Sequence, residues 1–332
     1  MIAHFHHCIE QLDLAAQQFR RASSAYARFA LILTDNVLEL ILHKFAEQEL
    51  KGDEVWRILG KRKYSDAERA KVLGQHFDEK PKFLRKLGVL SDDQMTFIQI
   101  CHRYRNELYH QGILHESVIF DIAWHYHEVV CDFLPRLQKG SYWWRMGEPV
   151  STTVKTYCGE EGLSRDPEQR LHEVAKKLAK AKPDASRSFA SALSEAAVAR
   201  LDALDSDIEF LIADSPGTQT RSSVLFDVQA WPFLFSDVGK DTIQLRPGEE
   251  IPSLEYAFDL LRKHWKPPVS NDPVPKWRDR AVQLQNDVSV FKVLEKYQQL
   301  MDQMDYLEER VRDAAVALDQ HIQQEIDRRR GK

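Results

Sequence analysis

Arg105, Asn106 and His110 stand together in the stretch RYRNELYHQG (103–112), in the form Arg-x4-His with a polar residue directly after the arginine. A guanidinium is planar and permanently charged, and its paired donors match two oxygens of one anionic group. An imidazole, with an ordinary pKa of about 6.5, takes or gives a proton near neutral pH. Together they suit transfer chemistry on an anion, one residue holding charge as it builds and the other moving a proton. A purely structural reading also fits these residue types: a surface arginine, and a helix-end histidine that caps carbonyls and complements the dipole.

Spacing adds a condition. Asn106 and His110 are four apart and share a helix face, with His102 one turn earlier. Arg105 and His110 are five apart, which separates them by roughly 140° on an ideal helix. One helix therefore brings both heads to a single anionic group only through the arginine's reach.

The element that must position these residues is a helix. Ser91 followed by Gln94 matches a capping box, and Phe97, Ile98, Cys101, Tyr104 and Leu108 give the apolar stripe, with Gly112 as its stop. A further helix over about 116–137 carries Ile119, Ile122, Ala123, Tyr126, Val129, Val130 and Phe133. A short connection makes the two antiparallel neighbours. Upstream, Phe5, Ile9, Leu12, Ala16 and Phe19 mark a first helix. The next, about 24–50, is apolar on nearly all sides and belongs at a bundle centre or a subunit interface. Within it, Asp35, Asn36 and Glu39 interrupt the apolar run. Because a buried charge needs a partner, Asp35 and Glu39 are candidate partners for Arg105 across the bundle; an exposed polar strip is the alternative.

The four-to-five-helix bundle and the Arg-x4-His motif on its third major helix resemble the HEPN superfamily, over roughly residues 1–140. The resemblance implies a metal-independent endoribonuclease that acts as a dimer, two motifs lining one cleft. It makes Arg105 and His110 the catalytic pair and Asn106 the residue that orients them. His102 and Tyr109 beside the motif, with Asp35 and Glu39 across the bundle, are the candidates for support by position. RNA is then the substrate, its own 2′-hydroxyl attacking the adjacent phosphate, and no cofactor or metal is needed. Standalone members of the family typically act as toxins or in antiviral defence. The tyrosine that some members carry two residues after the histidine is Gly112 here, so control by nucleotidyl transfer is not expected.

The chain is 332 residues long, 43% hydrophobic and 29% charged, with a net charge of -5. That length allows two domains. Residues 56–86 hold 10 Lys+Arg against 4 Asp+Glu, with Trp56, Tyr64, Phe77 and Phe83 interspersed, while residues 1–140 balance at 19 against 19. Lys61, Arg62 and Lys63, with Arg103 beside the motif, are the cations expected to track an RNA backbone; a solvated loop is the plainer reading of such a run. Cys8, Cys101, Cys131 and Cys158 form no Cys-x-x-Cys pair, which suits reduced thiols. His4, His6, His7 and Cys8 cannot converge from one helix on a tetrahedral metal, and neither can His125 and His127. With no signal-peptide pattern and no membrane-length apolar run, a cytoplasmic location is expected.

A Gly/Ser/Thr-rich stretch over 141–165 reads as a linker, so the expected organisation is a bundle over 1–140 and a helical region over 166–332 for assembly, sensing or partner binding. The expected fold is mainly α. Residues 222–235 and 241–247 offer a small strand pair, against which Pro232 argues. Residues 267–275 (PPVSNDPVP) read as an extended linker. The tail reads as one helix over about 276–330, in which Tyr297, Leu300, Met304, Leu307, Val311, Ala314 and Leu318 keep a heptad-like stripe. That stripe fits either a coiled coil or a helix packed on its own domain. Two rivals to the enzyme reading follow: a non-catalytic helical scaffold that retains the bundle, and a subunit whose tail must bind a regulatory protein.

Overall fold

The computed structural model describes residues 2–21, 23–57, 60–111, 116–137, 150–163, 166–180, 187–213, 219–243 and 253–331. Among these the fold is all-α, with no strand. The chain divides into two compact units, one of residues 1–192 with 287–295, the other of residues 193–286 with 296–332.

In the first unit α1 (Ile2–Phe19) and α6 (Ile119–Arg136) pack on α2 (Ser24–Arg57), which also meets α3 (Asp66–Leu73), α4 (Glu79–Lys86) and α5 (Asp92–Gln111). The expected central helix is therefore α2, about two turns longer at its far end than the apolar pattern suggests. Phe5, Ile9, Leu12, Ala16 and Phe19 are all buried, as are Val37, Leu38, Ile41 and Leu42 on α2. Local chemistry sets the helix starts. Ser65 and Glu68 form a capping box that opens α3. Ser91 and Gln94 do the same for α5, Ser91 N–H reaching Gln94 Oε1 at 3.0 Å and Gln94 N–H reaching Ser91 Oγ at 3.1 Å. Gly88, at φ +71, turns the chain out of α4 so that α5 can start. Beyond residue 150, α7 (Thr152–Cys158) and α8 (Pro167–Ala179) also pack in this unit, α8 against α6. Residues 141–149 and 164–165 of the linker stretch lie outside the described residues, and residues 152–158 between them form α7.

The second unit takes α9 (Phe189–Ala213) from Leu193 onward, α10 (Arg221–Leu234), α11 (Asp237–Thr242), α12 (Leu254–His264), α13 (Val274–Gln283) and α14 (Val290–Arg329) from Lys296 onward. The strand pair suggested for 222–235 and 241–247 is not formed. Residues 221–234 are α10, opened by a capping box between Thr220 and Ser223, and its apolar run buries Val224, Leu225, Val228, Ala230 and Leu234 at helical spacing. Pro232 sits within the last turn of α10, so it removes one helical N–H but has little helix left to interrupt. Of the second segment, Asp241 and Thr242 end α11, and residues 244–247 lie outside the described set. The Pro-rich linker is held, not free: Gln229 donates to the Val269 carbonyl at 3.0 Å and accepts from the Val269 N–H at 3.0 Å.

The tail is two helices instead of one. After α13 a single 3-10 turn (Leu284–Asn286) breaks the run, and the chain restarts at Ser289, whose carbonyl accepts the Val293 N–H at 3.0 Å. Asn286, Asp287 and Ser289 compete for backbone groups and so favour a break and a cap over continuation. The first five residues of the heptad-like stripe are satisfied within the unit, while Ala314 and Leu318 are half-buried. Tyr297, Leu300, Met304, Leu307 and Val311 are buried, and Arg200 of α9 bonds Asp305 at 2.6 Å and Glu308 at 2.5 Å.

Candidate active site

Asp35 is the organising group. It lies on the central helix α2 and is 1% exposed, so its carboxylate needs partners from neighbouring helices. Oδ1 accepts the Tyr126 hydroxyl of α6 at 2.8 Å. Oδ2 accepts from His102 Nδ1 of α5 at 2.9 Å and lies 3.6 Å from Arg105 Nε. Arg105 Nη1 in turn donates to Asn106 Oδ1 at 2.9 Å. Three helices thus meet at one buried carboxylate.

Because a carboxylate only accepts, Nδ1 of His102 carries the proton, which in the neutral ring leaves Nε2 as the lone-pair nitrogen. The ring is also held from its face. Phe77, in the turn between α3 and α4, stacks on it with centroids 3.7 Å apart and planes 4° from parallel. Burial, reinforced by the Asp35 charge, pushes the Tyr126 phenol well up, so it stays a hydroxyl donor. The Cys101 thiol behind it is raised for the same two reasons and stays protonated.

The residues selected from the sequence separate into groups. His102, Arg105, Asn106 and Asp35 come together. Glu39, one turn along α2, does not join them and pairs instead with the buried Lys80 at 3.9 Å. Asn36 is exposed and bonds Gln11 of α1. Arg103 sits on an exposed face of α5 with Glu107 at 3.9 Å. Tyr109 and His110 occupy the last turn of α5, but their side chains lie outside the described set, as does Gly112.

Tyr126 and Phe77 are the two members that sequence reasoning placed elsewhere, Tyr126 as core and Phe77 as part of the basic segment. A hydroxyl inside an otherwise apolar stripe was the available signal for Tyr126, since a buried phenol needs an acceptor.

The basic segment is mostly neutralised. Arg62 pairs with Asp66 and, at 3.6 Å, with Glu54. Arg69 bonds Asp53 at 2.6 Å. Lys71 pairs with Glu79 at 2.9 Å, Arg85 with Asp92 at 2.6 Å and Lys86 with Glu68 at 2.8 Å. Asp53, Glu54 and Asp92 come from outside the segment, as does Glu39 beside Lys80, so its excess of cations is smaller in space than along the chain. Tyr64, Phe77 and Phe83 are buried, which leaves Trp56 as the segment's exposed aromatic, with Lys61 and Lys63 as exposed cations.

Among the described residues no three His, Cys, Asp or Glu side chains gather as a metal site, and no helix is long and apolar enough to cross a membrane. The second unit holds a cavity of about 730 Å³ lined by residues including Trp231, Phe258, Leu318 and Arg310, and none of the candidate catalytic or RNA-binding residues lines it. Comparison of the chain with family models, curated proteins and solved structures returns no match.

Proposed function

We propose that the chain is a metal-independent endoribonuclease whose site is built on the C-terminal half of α5. The observation that supports this most is the placement of Arg105. Its guanidinium is oriented by a buried carboxylate and by Asn106, yet 31% of the side chain stays open. An anion clamp needs that combination of fixed orientation and access. In this reading Arg105 grips the non-bridging phosphate oxygens as charge builds on them. His110 moves a proton at the scissile phosphate, and Asn106 fixes the Arg105 head. A second copy, brought up as a homodimer or higher homo-oligomer, contributes the matching residues across the cleft. The 2′-oxygen attacks phosphorus, the bond to the 5′-oxygen breaks, and the ends formed are a 2′,3′-cyclic phosphate and a 5′-hydroxyl. The cellular setting that goes with this reading is a toxin or an antiviral defence effector.

The test is incubation of the full chain with RNA in the presence of EDTA, with analysis of the ends. Cyclic phosphates formed without metal, and a loss of about 10²–10⁴-fold in His110→Ala, are expected. Complete dependence on a divalent ion, or wild-type cleavage by His110→Ala, would overturn it.

One observation favours a second reading. An arginine tied to Asp35 and Asn106 of its own chain is also what a structural cross-tie in a non-catalytic scaffold looks like. In that case Arg105→Ala lowers stability and the wild type cuts nothing.

A further inference from the structure

The histidine that shares Arg105's anchor is His102, not His110. Both His102 and Arg105 rest on the same oxygen of Asp35, at 2.9 and 3.6 Å, and they are three apart on α5, so their heads lie side by side. The carboxylate cannot swing away, because its other oxygen is held by Tyr126 at 2.8 Å. Phe77 fixes the plane of the imidazole. The His102 side chain keeps 16% of its surface open, so it can be reached from solvent.

This is the arrangement of a carboxylate-oriented base: tautomer set at Nδ1, lone pair at Nε2, and an anion behind the ring that stabilises the imidazolium once a proton arrives. It also removes the awkwardness of the five-residue gap between Arg105 and His110, because a base and an anion clamp are already adjacent within one copy.

We propose that His102 is a catalytic proton acceptor of this site. The inference rests on the ribonuclease reading and deepens it. Nε2 of His102 takes the proton from the attacking 2′-hydroxyl as the new P–O2′ bond forms. The P–O5′ bond breaks with its electron pair on the 5′-oxygen, and a protonated His110, from the same or the facing copy, gives that oxygen its proton. One proton is taken and one given, so the pair of histidines is reset by exchange with water.

The two roles separate on a substrate whose leaving atom needs no proton. Two RNA oligonucleotides are compared, one natural and one carrying a single bridging 5′-sulfur at the scissile phosphate, with the full-length wild type, His102→Asn and His110→Ala. The Asn amide can still donate to Asp35, so the tie across α2 and α5 is kept while the base is lost. His102→Gln is measured alongside as a second variant, and melting temperatures verify the fold of each. His102→Asn is expected to lose about 10²–10⁴-fold on both substrates. His110→Ala is expected to lose as much on the natural RNA and to recover on the sulfur substrate.

Cleavage at the wild-type rate by a folded His102→Asn or His102→Gln overturns the assignment and leaves the ribonuclease reading intact. Recovery of the His102 variants on the sulfur substrate overturns it too, since it makes His102 the acid. Absence of cleavage by the wild type on either substrate removes the ribonuclease reading, and this inference with it.

Discussion

Replacing Asp35 with alanine is the sharpest perturbation of the junction between α2, α5 and α6. The Tyr126 hydroxyl, on a residue that is 0% exposed, loses its acceptor, a loss of about 1–3 kcal/mol for a buried donor left without a partner. His102 and Arg105 lose an anion as well, but their side chains are 16% and 31% exposed, so water replaces part of that interaction. Against these stands relief from burying a carboxylate. The net expectation is a destabilisation of ~3 kcal/mol, which at about 2–4 °C per kcal/mol lowers the melting temperature by roughly 6–12 °C.

Calorimetry on Asp35→Ala, Tyr126→Phe and the double variant reads this directly. Tyr126→Phe removes the orphaned hydroxyl, so the double variant should cost less than the two single ones together, by about 1 kcal/mol. If Asp35→Ala melts with the wild type, or if the two changes simply add, the carboxylate is not the organising group and the argument built on it fails.

Two further outcomes are expected. His127 is fully buried on α6, and burial lowers its pKa from 6.5 to about 4. The folded form therefore holds this ring neutral while the unfolded chain protonates it, so its contribution to stability is whole above pH 6.5 and is lost as pH falls toward 4. That loss amounts to ~3 kcal/mol at 1.36 kcal/mol per pKa unit. Melting curves at neutral and acid pH should show a shallower pH slope in His127→Gln than in the wild type, and equal slopes would contradict the assignment. In the second unit, a Cβ on Gly239 of α11 would be driven into the Phe233 carbonyl of α10. Gly239→Ala should cost about 2 kcal/mol or more and open the cluster of Ala230, Leu234, Ile243, Ala257 and Leu261 to limited proteolysis. Unchanged protection there would show that the α10–α11 corner can yield.

Much of the helical order is legible from residues alone because its causes are local. The Ser91–Gln94 box, the stripe on α5 and the stripe on α1 each involve groups within a turn or two of one another, and each is found where the pattern puts it. Residues 222–235 are ambiguous because their local signals are compatible with two elements. A short apolar run bounded by serine and proline fits a strand or a helix, and the choice fell to the Thr220–Ser223 box and to burial of one helical face. The break between α13 and α14 is a local signal too, but three polar residues in a long helical pattern are weak beside the periodicity around them.

The motif shows the division most clearly. That Arg105, Asn106 and His110 lie on the last turns of one helix follows from the sequence, and so does the angular gap between Arg105 and His110. Asp35 could be named as a candidate partner of Arg105, but not chosen over Glu39 nor joined to His102, because that carboxylate is 67 residues from His102 in the chain, and the hydroxyl that steadies it is 91 residues from the carboxylate. The same holds for the basic run of residues 56–86, whose counter-charges Asp53 and Glu54 arrive from the end of α2 and Asp92 from the start of α5. Backbone hydrogen bonding and apolar periodicity act over a few residues and can be read along the chain. Electrostatic pairing acts over a few ångströms, and only the packing of α2, α5 and α6 decides which charges fall within that distance.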